Sequence, residues 1–412
     1  MKTVGGFVSL VVLAALVLEL PALVDEPNWP RFRGPNGQGV SQATGIPVTW
    51  TEKDYNWKVA LPGGGHSSPV VWGEKIFVTC GHRESGRRML AALRVSDGKI
   101  LWSKDCPPVQ YSLHGRSSYA AATPAVDADH VYVLWTTPKH TRLVALDHEG
   151  ADIWQSTFAG VHCPHGAAMS PIVADDLVVF TREQEHKSPY PSSWVAVDRK
   201  TGKTRWELER QTSIKTGYST PCLFVPNGRP PQLIFTSLAH GMTAVDPQTG
   251  KVVWELKPAF EWRVVASPIL ADGLLIGSSG RNYVAVRPPA TASGRPTVAR
   301  DKGPYSYCPT PLAKDGLLFI FRDDGRAYCL RGATGEQLWQ AKPGGRFAGS
   351  PVWVDGRLYC ITMDGNLVVI RAADQYELLA VNPLGEKSQA TPAVAGGRLY
   401  LRTESHLISI GG

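Results

Sequence analysis

Ser350–Thr362 reads SPVWVDGRLYCIT. Two apolar runs, rich in β-branched and aromatic residues, flank Asp355-Gly356. That composition suits strands. Asp-Gly supplies the positive φ that a two-residue hairpin turn requires. The proline opens the first run, where no ladder N–H has to be given. The stretch therefore predicts two short antiparallel strands.

The same pattern returns along the chain. SPVVWGEKIFVT, TPAVDADHVYVLW, SPIVADDLVVFTR, TPCLFVPNGRPPQLIFTS, SPILADGLLIGSS, TPLAKDGLLFIFR and TPAVAGGRLYLRT complete the series. Their prolines are Pro69, Pro124, Pro171, Pro221, Pro268, Pro311, Pro351 and Pro392, spaced 40–55 residues apart. A self-similar period of that length marks a repeat architecture.

A second hairpin follows in most copies: AALRVSDGKILW, ALDHEGADIW, AVDRKTGKTRW, AVDPQTGKVVW and CLRGATGEQLW. Each places glycine four residues before tryptophan, giving Trp102, Trp154, Trp206, Trp254 and Trp339. These tryptophans are expected to dock against a neighbouring repeat. The fifth copy puts Val298 at the tryptophan position and the seventh puts Leu379 there. Each repeat is thus one four-stranded antiparallel sheet, which cannot bury both faces alone. Sheets of this size close into a ring.

The eighth copy ends at SHLISIGG after its third strand, and the missing fourth strand is YNWKVALPG, with Trp57 at the docking position. The expectation is an all-β, eight-bladed β-propeller over residues 48–412. Its last blade is completed by the N-terminal strand, which pins the ring shut because the first strand pairs the final edge. Residues 25–47 lead into it. Residues 1–24 form a signal peptide or membrane anchor, because Lys2 precedes the apolar run from Gly5 to Leu18. A run of that length fits an exported leader and is short for a membrane span.

Composition agrees. Gly 41 and Pro 32 in 412 residues exceed average usage without a collagen period. The 13 tryptophans also suit many short strands. Net charge is +7, but the basic clusters around Arg83 and around Arg199 carry acidic neighbours. No continuous basic stripe marks a nucleic-acid surface. The seven cysteines lack CxxC spacing and read as small buried side chains.

The copies at Ala196–Trp206 and Ala244–Trp254 match A-x-D-x-x-T-G-x-x-x-W. In this the chain resembles the tryptophan-docking propellers of the pyrroloquinoline quinone (PQQ) type. NWPRFRGPNGQGVS at Asn28–Ser41, SSYAAATPAV and LRTESHLISIGG are similar to PQQ-binding-like repeat proteins of planctomycete-type bacteria. Related propellers include BamB-like accessory lipoproteins of outer-membrane β-barrel assembly and the quinoprotein alcohol dehydrogenases. The resemblance implies an exported, periplasm-facing protein with an envelope protein partner. It attaches to membrane only through its N-terminal segment.

The dehydrogenase branch implies PQQ held by calcium, an aspartate base, and an adjacent-cysteine disulfide over the quinone. No Cys-Cys pair, large insertion or clear calcium set occurs here. No G-x-S-x-G, H-E-x-x-H or P-loop occurs either. The reading is therefore a non-enzymatic assembly scaffold. A PQQ-dependent dehydrogenase and a glycan or small-ligand binder are the alternatives.

Two constellations bear on those alternatives. His66, Tyr119, His165, Tyr218, Arg263, Tyr307, Phe347 and Gln389 precede the Ser/Thr-Pro pairs and are expected around one channel mouth. Such a ring can stack on and hydrogen-bond a ligand. In VHCPHGAAM, His162, Cys163 and His165 form a weak metal candidate, against a plain connector as the simpler reading. Arg116, Arg281, Arg322 and Arg346 could add positive charge to a face.

Overall fold

The ring is visible in the strand pairing. A computed structural model describes residues 28–162, 165–291 and 293–412. Among these residues, eight separate four-stranded antiparallel sheets follow one another along the chain. Blade 1 comprises Val70–Trp72, Lys75–Gly81, Arg88–Arg94 and Ile100–Cys106, from the axis outward. Blade 8 comprises Ala393–Ala395, Arg398–Arg402, His406–Gly411 and, as its outermost strand, Tyr55–Ala60. Trp57 pairs with Ser409 and Val59 with Leu407. The chain's first strand thus closes the last sheet.

The hairpin turns follow the expected chemistry. Asp272-Gly273, Asp315-Gly316 and Asp355-Gly356 all carry positive φ at both positions. That is the type I′ geometry that matches strand twist. The core lies between blades. Between blades 1 and 2 it holds Val70, Phe77, Leu90, Val131 and Val133. Between blades 3 and 4 it holds Val179, Trp194, Ala196, Leu233 and Phe235. The third strand Ser192–Asp198 is buried on both faces up to its last residue.

The tryptophans lock neighbouring blades. Trp57 Nε1 donates to Val95 O, Trp102 to His148 O, Trp154 to Arg199 O, Trp206 to Pro247 O and Trp339 to Ala373 O, at 2.7–3.0 Å. Each acceptor lies in the outer hairpin of the next blade. Trp254 instead donates to Gln232 Oε1 in its own blade at 3.0 Å. Two expected positions need correction. In blade 5 the residue at the tryptophan register is Arg300, paired with Ala285, while Val298 is 47 % exposed. Arg300 does the docking by hydrogen bonds to Gly332 O and Ala333 O. In blade 7 that register belongs to Ala380, opposite Val369, and not to Leu379. Every outer hairpin carries the same bulge, but the loops here are longer: Arg300 lies 15 positions after Ala285 and Ala380 lies 11 after Val369, against 10 from Ala196 to Trp206.

The Ser/Thr-Pro repeat has a second function. Its hydroxyls form a belt around the axis. The amide of Ser68 donates to Thr123 Oγ1, Thr123 to Ser170 Oγ, Thr220 to Ser267 Oγ and Ser267 to Thr310 Oγ1. Thr310 donates to Ser350 Oγ, Ser350 to Thr391 Oγ1, and Thr391 back to Ser68 Oγ. At seven of the eight blades the residue before the proline thus gives its amide to the hydroxyl of the next blade.

Asn28–Ser41 fills the channel beneath this belt. Inner strands face the axis with an unpaired edge, and this segment satisfies it. Trp29 exchanges both backbone bonds with Val71. Val126 donates to Pro30 O, and Trp353 to Gly39 O. Asn36 takes Leu223 in a two-way side-chain pairing, and Gln38 accepts from Leu270. Arg33, fully buried, donates to the carbonyls of Gly37, Gln38, Thr310, Pro311 and Pro351. This plug ties five inner strands together and bonds blade 6 through Arg33.

Candidate functional site: a blind cavity on the channel axis

The plug closes one end of the channel, so the space above it is a cup. The cavity measures about 300 Å³. Phe32 of the plug and the belt residues Ser68, Thr123, Ser170, Thr220, Thr310, Ser350 and Thr391 line it. Of the eight residues expected at the mouth, His66, His165, Tyr218, Arg263, Tyr307, Phe347 and Gln389 line this cavity. Tyr119 lies outside it, in an adjoining groove. There its hydroxyl donates to Tyr111 O at 2.6 Å and accepts from Tyr111 N at 3.0 Å.

Arg263 is the most constrained polar group of the cup. It is only 7 % exposed. Its Nη1 donates to Tyr307 Oη at 3.0 Å and lies 2.9 Å from His165 Nε2. The guanidinium also sits 5.9 Å from the Tyr218 ring centre. Its Nε has no hydrogen-bond partner among the described residues. Arg116 and Arg346 stand exposed at the rim, and Asp323 is the one carboxylate among the lining residues. Arg281 and Arg322 are not in the cavity wall. They stack on Trp262 and Tyr305, at 4.2 and 4.4 Å.

Two imidazoles of the cup, those of His66 and His165, are neutral at neutral pH. Burial, reinforced by Arg402 and Arg83, holds His66 down at about 4. Burial and the Arg263 charge hold His165 at about 4. Burial pushes the Cys308 thiol up to about 12, so it is no thiolate nucleophile. The cup therefore presents permanent guanidinium charge, neutral rings and hydroxyls. Apolar residues such as Ala121, Val265 and Ala348 fill the wall between them.

The weak metal candidate is split. His162 Nδ1 bonds Glu185 at 2.7 Å, while His165 turns to Arg263. Cys163 lies outside the described residues. Among the described residues no group of three potential ligands is assembled. The described cysteines are free thiols, and all except Cys308 are buried.

Sequence reasoning missed three parts of the site. The belt hydroxyls had a readable signal, since Ser or Thr precedes every repeat proline. The plug had one too, as a conspicuous Gly-Pro-Asn-Gly stretch of no assigned strand. His114 and Asp323 had none.

The fold and this cavity define a PQQ-type repeat propeller with a blind axial cup. The chain belongs to the family described as outer membrane protein assembly factor BamB, whose model matches residues 40–160, 88–341 and 306–410. Among solved structures it is similar to a europium-containing methanol dehydrogenase, at 14 % identity and a TM-score of 0.68. That match covers 92 % of this chain and 90 % of the other. BamB from Moraxella catarrhalis matches at 16 % identity and a TM-score of 0.57, over 86 % of this chain and 96 % of that one. The quinohemoprotein alcohol dehydrogenase from Comamonas testosteroni matches at 15 % and 0.66, over 93 % and 80 %. At such identities the likeness is one of fold. No curated protein matches the chain.

Proposed function

We propose that this chain is an exported, non-catalytic propeller that serves as an interaction scaffold in the cell envelope, with the cup as its recognition site. The observation that carries this reading is the donor set of the cup. Calcium takes six to eight oxygen ligands, several of them carboxylates. The lining offers Asp323 as its one carboxylate and three arginines beside it. Among the described residues no tryptophan lines it to stack beneath a quinone, and Cys308 is a free thiol. These residues do not fit a calcium-held quinone. They fit the capture of an anionic group, because guanidinium and hydroxyl donors converge in a partly desolvated space. The family description speaks for an envelope role, and no helix among the described residues is long and apolar enough to cross a membrane.

The test has two arms. Purified protein supplied with PQQ and calcium should show no dye-linked alcohol oxidation. A photo-crosslinker at position 116, on the mouth, should trap an envelope protein in intact cells, while one at position 253, on the ring perimeter, should not. Alcohol oxidation, or equal trapping from both positions, overturns the reading.

A further inference from the structure

A groove continues outward from the cup. It measures about 770 Å³ and shares His66, Arg116, Ser117, Met363 and Gln389 with it. Gly64, Gly65 and Gly81 line it, so a bound backbone can approach closely. We propose that cup and groove together bind the carboxyl-terminal segment of a polypeptide, the terminal carboxylate seated in the cup. The proposal rests on the scaffold reading and names the chemistry of its partner.

Three observations converge. First, the plug makes the cup blind, so it admits the end of a chain and not a strand passing through. Second, the charge at that end is positive. Arg263 is buried at the cup wall, and the exposed guanidiniums of Arg116 and Arg346 line the same cup. His66 and His165 are neutral, and Asp323 is the one opposing charge in the lining. A carboxylate suits this and an ammonium does not. Apolar wall around Phe32 and Val265 receives the last side chain.

Third, the groove is charge-balanced. Beyond Arg116, which it shares with the cup, its cations are Arg83 and Lys387, and its acids are Glu84, Asp364 and Glu404. A polyuronic glycan would meet three carboxylates along this path. A peptide backbone is neutral there and carries its obligatory charge only at the end. Capture of a terminal carboxylate is a recurring recognition mode.

The experiment is fluorescence anisotropy on the intact folded chain. The probes are an array of labelled hexapeptides, each made with a free carboxylate and with a carboxamide end, and polyuronate oligosaccharides. A subset of the peptides should bind at least tenfold more tightly as the acid. Arg263→Gln should erase the acid preference, and Ala121→Leu, which fills the cup without removing charge, should weaken the acid form alone. Lys387→Ala should weaken both forms alike. Equal binding of acid and amide overturns the proposal, as does binding of polyuronate without peptide, or no binding by any probe. None of those results touches the arm that scores alcohol oxidation, so the two readings fail separately.

Discussion

Gly202 lies against the indole of Trp154: a Cβ on this glycine would sit 2.4 Å from Trp154 Cε3. Gly98, Gly150 and Gly250 meet Trp57, Trp102 and Trp206 in the same way. The repeat's glycine is therefore both a turn residue, with φ of 69–90°, and the seat of the previous blade's tryptophan. Gly202→Ala should destabilise in two ways. The left-handed backbone costs a non-glycine residue about 1 kcal/mol or more, and displacing the ring adds about 1–3 kcal/mol. Gly273→Ala, with φ 76° and nothing within 4 Å of its Cβ, should show only the first. Urea unfolding of the two variants measures the difference. Equal losses would mean that the indole contact contributes nothing.

The hydroxyl belt predicts a polar defect. Thr310→Val keeps the shape but removes the acceptor of the buried Ser267 amide. An unsatisfied buried donor costs about 1–3 kcal/mol. Thr310→Ser restores the acceptor and should recover most of the loss. Thermal denaturation of the pair decides it, and a stable Thr310→Val protein would remove the belt from the list of ring-closing contacts.

Arg33 bonds five carbonyls from a fully buried position, and burial draws its guanidinium down to about 9. Arg33→Ala leaves those oxygens without their donor. A loss of several kcal/mol is expected, since each buried polar group left unsatisfied costs about 1–3 kcal/mol. Because Phe32 is its neighbour and floors the cup, peptide binding should weaken as well. Retained stability with retained binding would show that the plug is dispensable.

Strand Tyr55–Ala60 pairs with His406–Gly411 across the whole length of the chain. Deleting residues 48–61 should leave the third strand of blade 8 without its outer partner and lower the melting temperature sharply. Adding the deleted segment as a free peptide should restore part of it. An unchanged melting temperature in the deletion variant would mean that the ring holds without this strand.

Acid should weaken the fold through three histidines. Burial first, then Arg402, Arg263 and Arg210 respectively, hold His66, His165 and His240 at about 4. Unfolded imidazole protonates near 6.5. Between these values the unfolded chain binds more protons, so stability is full above about 6.5 and falls as pH drops towards 4. The urea midpoint should decline across that window. His66→Gln should flatten the decline, and an identical slope in that variant would remove His66 from the account.

Blade number, closure and hairpin turns were all legible before any coordinates. Each depends on local order: Asp-Gly turns, alternating strands, and a Pro at each inner strand. The mouth residues were legible only in approximate register, at offsets of three to six from those prolines, and seven of the eight line the cup. Tyr119 fell outside because its loop turns the ring toward Tyr111 instead. Val298 and Leu379 were misplaced because the outer-hairpin loops of blades 5 and 7 are longer than those of the tryptophan copies, so a fixed spacing lands on the wrong residue.

Sequence alone thus determined a closed eight-bladed ring, since period, turn chemistry and a split final repeat are written in short stretches of chain. The tertiary structure alone decided what the ring encloses. Arg33 reaches carbonyls 277 and 318 residues away, and Arg263 meets His165 across 98 residues. Such distances in sequence carry no local pattern. Only folding brings the plug under the belt, and only then does the channel become a blind, positively charged cup.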